Sequence, residues 1–425
     1  MIMTAKRGYK SILLCTSLLL ISACSGPWLG SSANEKNIPV LSQDERKRIA
    51  DKLDPAIIQA QNKFGLQLHH ELAQSAESGE NIILSPYSIF TALVLAYNGS
   101  SGKTSKEMAH TLGLEGFSKE QVNASGRTLQ TLLEDAGSGV RLNTANSIWY
   151  RSGLEIKDIF MQSAQNSYHA EIQAVDFQKE KTLKEINGWV NKHTNGKIPS
   201  ILDQVPDPST LAILLNAVYF NGAWQTPFNP QNTREGSFTR PDGSVQKIPM
   251  MMQGGMFEYK ETPKAQAIRL PYGDGRLNML IVLPAKGQSP DILMEQILQD
   301  PSSWQGRFDH ASGEFQLPRF KAEYTGQLEK SLMKMGMKQV FDPAAADFTA
   351  ISDTKPLFIS SILHKTVLDV NEKGTEAAAV TEIGMAGSAP PKERFQMIVD
   401  HPFFFCIEDS QTSLWLFLGT IVNPS

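Results

Sequence analysis

The chain has 425 residues, with 40 lysines and arginines against 44 aspartates and glutamates, for a formal net charge of −4. That balance, with no dense basic block, excludes a nucleic-acid-binding surface. The 41% hydrophobic content is ordinary for a soluble globular protein with a core of its own, and the length allows two or three domains.

The first residues read as a targeting segment. Lys6, Arg7 and Lys10 precede an apolar run from Ile12 to Ile21 that is too short to span a bilayer. It ends Ile21-Ser22-Ala23-Cys24, which resembles a bacterial lipobox. Residues 1–23 are therefore expected to be a lipoprotein signal peptide, with Cys24 the lipidated first residue of the mature chain. The alternative is ordinary signal cleavage near Ala23. Ser25 to Asn37 is rich in Gly, Ser and Asn, the composition of a flexible tether, and the tether is expected to reach residue 49. The expected location is that of an exported lipoprotein, anchored in the periplasm or at the cell surface by its lipid.

Helical signals follow. Ser42 and Glu45 fit a capping box opening a short polar helix. Arg46-Lys47-Arg48 within it alternates with Asp44, Glu45 and Asp51 and reads as a solvated face. Ile57, Ala60, Phe64, Leu68 and Leu72 recur at helical spacing. Ser85-Pro86 reads as an N-cap with proline at the first helical position, and Asn98-Gly99 closes that helix. Ser118 with Gln121 caps another. Ile186, Trp189 and Val190 mark one more, stopped at Asn195-Gly196. Between them, Leu142 to Tyr150 and Ile172 to Phe177 read as strands. Leu211 to Phe220 has the unbroken apolar pattern of a strand buried on both faces.

Strands dominate after about residue 235. Leu277 to Leu283 is bounded by turn signals at Tyr272-Gly-Asp-Gly275 and Pro284-Ala-Lys-Gly287. Helical pattern returns at Asp291 to Leu298 and Leu328 to Met335. Gln396 to Ile407 and Leu414 to Val422 read as the last strands. Helices in the first half and strands in the second give an α+β class, and the absence of an interior linker favours one domain from about 50 to 425. Cys406 is the one cysteine of that domain; in Phe403-Phe404-Phe405-Cys406-Ile407 it reads as a small buried thiol, so the core must be stable without a disulfide.

The segment Glu372-Lys373-Gly374-Thr375-Glu376-Ala377-Ala378-Ala379-Val380-Thr381 has strand period and contradictory composition. Side chains alternate between the faces of a strand. One face reads Thr375, Ala377, Ala379, Thr381, Ile383; the other reads Glu376, Ala378, Val380, Glu382. Small Ala and Thr side chains fit a sheet interior but supply little apolar area to keep a strand there. Gly384, Gly387, Pro390 and Pro391 follow at once and read as a loop. A segment fit for both loop and central strand suggests a switch.

Here the chain resembles the serpin family. Glu-Lys-Gly-Thr-Glu-Ala-Ala-Ala-x-Thr is similar to the hinge of an inhibitory serpin's reactive-centre loop. Other segments agree in order over roughly residues 50 to 425: Asn81-Ile-Ile-Leu-Ser-Pro-Tyr-Ser88, Asn216-Ala-Val-Tyr-Phe-Asn-Gly-Ala-Trp224, His364-Lys-Thr-Val-Leu-Asp-Val-Asn-Glu372, Asp400-His-Pro-Phe-Phe-Phe405 and Gly419-Thr-Ile-Val-Asn-Pro424. The resemblance implies a serpin fold with a five-stranded main sheet, further sheets, surrounding helices and an exposed loop from about Gly374 to Pro391. It implies a hinge at Glu372, Gly374, Thr375, Glu376, Ala377, Ala378 and Ala379. Ser85, Ser88, Asn216 and His364 match the shutter, a hydrogen-bonded cluster beneath the main sheet. Trp224, Arg319 and Glu372 match the breach at its top. The loop's scissile bond is implied at Ser388-Ala389; aligning on Pro390-Pro391 moves it to Gly387-Ser388, and Met385 is a third candidate.

The function so implied is suicide-substrate inhibition of serine proteases, with cysteine proteases as a possible second class, by a monomer that is not an enzyme. The small residues around the bond suit an elastase-like or subtilisin-like target. No cofactor and no metal are implied, and the sparse basic residues give no reason to expect a glycosaminoglycan activator. The rival is a non-inhibitory serpin, a carrier or chaperone. A remoter one is an acyl hydrolase using Ser100 and Lys103, a pair repeated by chance at Ser331 and Lys334 and lacking a Lys-Thr-Gly element. Asn98 to Thr104 superficially resembles a phosphate loop, but Tyr97 stands where its first glycine must be, so it reads as a helix-ending turn. No His-Glu-x-x-His pattern occurs, and His69-His70 reads as surface or satisfied core.

Overall fold

The computed structural model describes residues 41–76, 79–288, 290–306, 308–375 and 394–424. The signal segment, Cys24, the Ser25 to Asn37 stretch, hinge residues Glu376, Ala377, Ala378 and Ala379, and the bond candidates Met385, Gly387, Ser388 and Ala389 lie outside the described residues.

Helix α1 (Gln43–Ala50) opens on the expected capping box. The Ser42 side chain accepts the Glu45 amide, and the Ser42 amide donates to Glu45 Oε2 at 2.9 Å. Two expectations fail here. Arg46 is not solvated: its side chain, 12% exposed, lies between Asp135 at 2.9 Å and Asp274 at 3.0 Å. The tether does not run to residue 49, because these ion pairs and the Leu41 amide bound to Asp135 Oδ2 tie α1 to the domain.

Helix α2 (Pro55–Ala73) buries Ile57, Phe64 and Leu68. Strand β1 (Ile82–Leu84) passes into α3 (Pro86–Gly99) at Ser85, whose hydroxyl accepts the Ser88 amide. Helix α3 is buried nearly all round, as its apolar composition requires. Helix α4 (Gly102–Thr111) was not legible, because only Thr104, Met108 and Thr111 are buried and they form a weak stripe. Helix α5 (Lys119–Glu134) opens on the Ser118–Gln121 box. Helix α6 (Asp158–Tyr168) was also missed; its apolar residues are bunched, and Ile159 is 75% exposed. Helix α7 (Glu180–His193) stops where Asn195 and Gly196 take positive φ. Helices α8 (Pro290–Gln299) and α9 (Glu329–Lys334) fall where the pattern predicts.

The remaining strands are β2 (Val140–Arg151), β3 (Glu171–Val175), β4 (Ala212–Ala223), β5 (Arg234–Thr239), β6 (Val245–Glu261), β7 (Ala265–Pro271), β8 (Leu277–Pro284), β9 (Asp309–Pro318), β10 (Phe320–Gln327), β11 (Ser361–Asn371), β12 (Gly374–Thr375), β13 (Phe395–Ile398), β14 (Phe403–Asp409) and β15 (Leu414–Ile421). One sheet has the order β1-β15-β14-β8-β7-β6-β9-β13, with β5 on β6. The other has the order β10-β11-β12-β4-β2-β3, with β11 also paired directly to β4. The expected single strand from Gln396 to Ile407 is two, β13 and β14. Pro402 has no amide hydrogen to continue a ladder, and the chain changes partners around it, from β9 to β8 and β15.

Strand β4 is buried on both faces, as expected. Leu214, Val218 and Phe220 join the main core, which reaches into the nine-stranded sheet, while Ile213, Leu215 and Ala217 pack with Ile186 and Val190 of α7. Cys406 is fully buried in β14, and its thiol is pushed up by burial.

One buried charge pair stitches these layers. Arg276 donates to both carboxylate oxygens of Asp409 in β14, at 3.2 and 2.7 Å, and to the Leu132 and Asp135 carbonyls at the end of α5, at 2.9 and 2.8 Å. It thereby satisfies carbonyls that a helix end leaves unpaired. Removing one partner of such a pair leaves the other charged and buried. We expect Arg276→Met to lower stability by about 3–5 kcal/mol. Arg276→Met/Asp409→Leu should recover part of that loss in a thermal melt, and a double variant worse than the single one would count against the pairing.

Candidate functional site: a strand slot and the polar cluster beneath it

Strands β11 and β4 run parallel and pair directly from Ser361 opposite Ile213 to Val367 opposite Tyr219. Beyond that point they part, and β12 lies between them, antiparallel to both. Thr375 is opposite Val370 on one side and Gly222 on the other; Gly374 is opposite Asn371 and Ala223. The sheet thus has five full strands, β10, β11, β4, β2 and β3, with a two-residue sixth wedged in at one end.

This corrects the expectation that the exposed loop starts at Gly374. Gly374 is buried and Thr375 is 0% exposed. Gly374 has φ +147°, and a Cβ there would stand 2.1 Å from the Gly222 carbonyl oxygen, so no other residue fits this passage between strands. The approach to it is clipped. The Trp224 indole donates to the Asn371 carbonyl at 2.9 Å, the Trp224 amide to the Lys373 carbonyl at 3.0 Å, and the Phe228 amide to the Glu372 carbonyl at 2.9 Å.

The breach residues come together here. Trp224 is 4% exposed and stacks on Tyr272, centroids 4.3 Å apart. Glu372 Oε1 accepts from Arg319, and from Thr233 Oγ1 at 2.7 Å. Burial pushes the Glu372 carboxyl up, but the bonds from Arg319 and Thr233 outweigh it and hold the carboxyl below its ordinary range. Arg319 is 46% exposed, so water screens the pair and its contribution is at most about 1 kcal/mol. The packed tryptophan matters more than the charge pair.

The four shutter residues also meet, at the paired part of the seam. His364 Nε2 accepts the Ser85 amide at 3.2 Å, and His364 Nδ1 donates to Asn216 Oδ1. Asn216 Nδ2 donates to Ser88 Oγ and to Asn146 Oδ1. Asn146, in β2 directly across from Asn216, was missed; β2 also carries Asn143, Thr144 and Ser147, so composition did not single it out. The partners define a neutral imidazole carrying its proton on Nδ1. His364 and Asn216 are register partners across β11 and β4, so their bond spans the seam itself.

The serine–lysine alternative fails on geometry. Ser100 is 2% exposed and its hydroxyl donates to the Tyr97 carbonyl at 2.7 Å, while Lys103 pairs outward with Glu107. Ser331 is likewise buried, and Lys334 reaches Glu71 and Ser75. His69 is a core residue, with Nε2 3.2 Å from Thr420 Oγ1.

A two-residue strand in a slot at one end of a central sheet, a seam of two parallel strands below it and a polar cluster across that seam mark the middle of the sheet. The family model for serpin (serine protease inhibitor) matches residues 59–424, and the chain belongs to the serpin family. It is 34% identical to an uncharacterised serpin-like protein of Thermococcus kodakarensis, over 98% of this chain and 99% of that one. It is also 34% identical to leukocyte elastase inhibitor A of Rattus norvegicus, over 86% and 98%. The crystal structure of the thermophilic serpin tengpin in its native state aligns with a TM-score of 0.80 at 30% identity, covering 87% of this chain and 95% of that one. Members of this family are typically protease inhibitors rather than enzymes.

The shutter histidine implies a pH dependence of definite sign. Burial lowers the His364 pKa from 6.5 to about 3. The unfolded chain therefore takes up a proton that the folded one refuses. The contribution of His364 to stability is complete above about 6.5 and is lost as pH falls from there towards about 3. Burial, and His70 nearby, lower His69 to about 4, with the same sign. We expect the melting midpoint to fall over this acid range, and His364→Asn to remove part of the slope while leaving the share of His69. An unaltered slope in that variant would contradict a neutral, buried His364.

Proposed function

We propose that this chain is an inhibitory serpin, which traps a serine protease, or a cysteine protease, as its acyl-enzyme. The protease attacks the loop with its own nucleophile. The freed hinge then enters the seam between β11 and β4. The observation that carries this reading is β12: Gly374 and Thr375 already form the first rungs of an antiparallel strand in that seam.

Continued in the same register, an inserted strand would set Ala377, Ala379 and Thr381 opposite Phe220, Val218 and Asn216 of β4, and opposite Leu368, Thr366 and His364 of β11. Those positions all face the main core, away from α7. The small face of the hinge would enter it, and Thr381 would arrive where Asn216 and His364 now bond. Ile383 would fall between Leu214 and Ile362, both nearly fully buried. New ladders on both sides and this burial supply the driving force, in a mode of strand addition known from peptide recognition. The tethered protease is displaced along the sheet. Its oxyanion donors work only at hydrogen-bond distance, so distortion stalls deacylation.

The target class we favour is elastase-like or subtilisin-like, from the small residues around Ser388-Ala389 and from a relative named as a leukocyte elastase inhibitor. Thr375 is unsuited to a test of insertion, because it is buried before any cleavage. Ala379 is better. Incubation with an elastase-like and a subtilisin-like protease should give an SDS-resistant complex with at least one. Ala379→Arg should abolish that complex and leave clean loop cleavage with active protease released, since a buried unpaired charge blocks insertion. Glu376→Arg, opposite the half-buried Asn221 and Asp369, should do much less. Cleavage without a complex in the wild type would favour a carrier or chaperone role.

We also propose that Cys24 is lipidated and anchors the inhibitor to a bacterial membrane, on the strength of Ile21-Ser22-Ala23-Cys24 behind a short apolar run. Cys24→Ala should move the protein from the membrane fraction to the soluble fraction with unchanged inhibition. Retention in the membrane fraction would overturn the anchor.

A further inference from the structure

We propose that Tyr272 is the positioning residue of the hinge, a buried receptor whose hydroxyl selects Thr375 and sets the register in which the loop enters the sheet. The proposal rests on the insertion reading and adds a residue to it. Tyr272 follows β7 at the start of a turn, where its amide donates to the Leu277 carbonyl at 2.8 Å and a bridge pairs it with Trp224. Its ring cannot swing, because Trp224 stacks on one face and Phe220 meets it edge-on at 5.0 Å. The side chain is 0% exposed. Its hydroxyl shares a hydrogen bond of 2.7 Å with Thr375 Oγ1, and among the described residues neither hydroxyl has another partner.

The cavity is cut to that residue. Gly222 stands opposite Thr375, and a Cβ there would come 2.9 Å from the Tyr272 ring and 2.8 Å from the Phe220 ring. The absence of a side chain at 222 leaves the width that Thr375 fills. With the hinge out, the Tyr272 hydroxyl would lose its partner in a buried place, which is unfavourable. A slip of one residue would bring Glu376 to the same spot and turn every following side chain to the wrong face. A short buried hydroxyl donor and acceptor accommodates threonine or serine and rejects that register. Thr375 therefore needs its hydroxyl as well as its small size.

The test is a double-mutant cycle with two readouts. The first is hydrogen exchange at the Gly374 and Thr375 amides of the uncleaved protein, which needs no protease. The second is the number of inhibitor molecules consumed per elastase-like or subtilisin-like protease molecule trapped. Tyr272→Phe and Thr375→Val should each raise exchange roughly fivefold, the effect of one lost hydrogen bond, and raise consumption in parallel. Thr375→Ser should restore wild-type behaviour, and Tyr272→Phe/Thr375→Val should be less impaired than the sum of the single changes. Unchanged exchange in Tyr272→Phe, or Thr375→Ser as impaired as Thr375→Val, would overturn the receptor role. Failure of the wild type to trap any protease would instead strike the inhibitory reading, while the exchange data would still decide whether Tyr272 holds the hinge.

Discussion

Two parallel strands, hydrogen-bonded along most of their length and wedged apart at one end, form the middle of the central sheet, and the proposed function depends on them. Strands β11 and β4 pair from Ser361 to Val367, and β12 occupies the gap beyond. A parallel pair is less favourable per residue than an antiparallel one. Under the proposed insertion, one parallel ladder would give way to two antiparallel ones, a favourable exchange of backbone hydrogen bonds. In that reading, the rest of the fold either keeps the exchange waiting or makes it possible.

What keeps it waiting is polar and buried. The hydrogen bond from His364 to Asn216 crosses the seam, and Ser85, Ser88 and Asn146 complete its surroundings from α3 and β2. Parting the strands would leave His364 Nδ1 and Asn216 Oδ1 without each other in a buried place, which is unfavourable, while Asn216 keeps its bond to Asn146 on the other side. The large apolar faces on either side reinforce this: Val218 and Phe220 lie in the main core and Leu363 and Val367 in the cluster with α7.

What makes the exchange possible is concentrated at the other end. Asn371, Glu372 and Lys373 present their carbonyls to Trp224 and Phe228, so the chain reaches the gap in one fixed alignment. Gly374 then passes between strands where a Cβ has no room, and Thr375 seats against Tyr272. The Arg319–Glu372 pair, conspicuous by charge, is half in water and contributes little beside the stacked Trp224 and Tyr272. Arg276 and Asp409, both buried, hold β14 and the end of α5 together.

Local pattern sufficed for what lies within a few residues of itself. The capping boxes at Ser42 and Ser118 and the Ser85-Pro86 helix start could be read because each involves positions three apart or fewer. The doubly buried β4 was readable from its unbroken apolar run. Family resemblance brought Ser88, Asn216 and His364 into one cluster, which period cannot do. The sequence by itself determined most of the element types and the helix caps, and the resemblance pointed to Ser85, Ser88, Asn216 and His364. Tertiary structure alone decided that Gly374 and Thr375 are already inside the sheet, that Arg46 is paired, that Asn146 joins the cluster, and that Tyr272 bonds Thr375. The physical reason is separation along the chain. Tyr272 and Thr375 are 103 positions apart and Asn216 and His364 are 148. The environment of each is created by strands that meet only once the chain has folded.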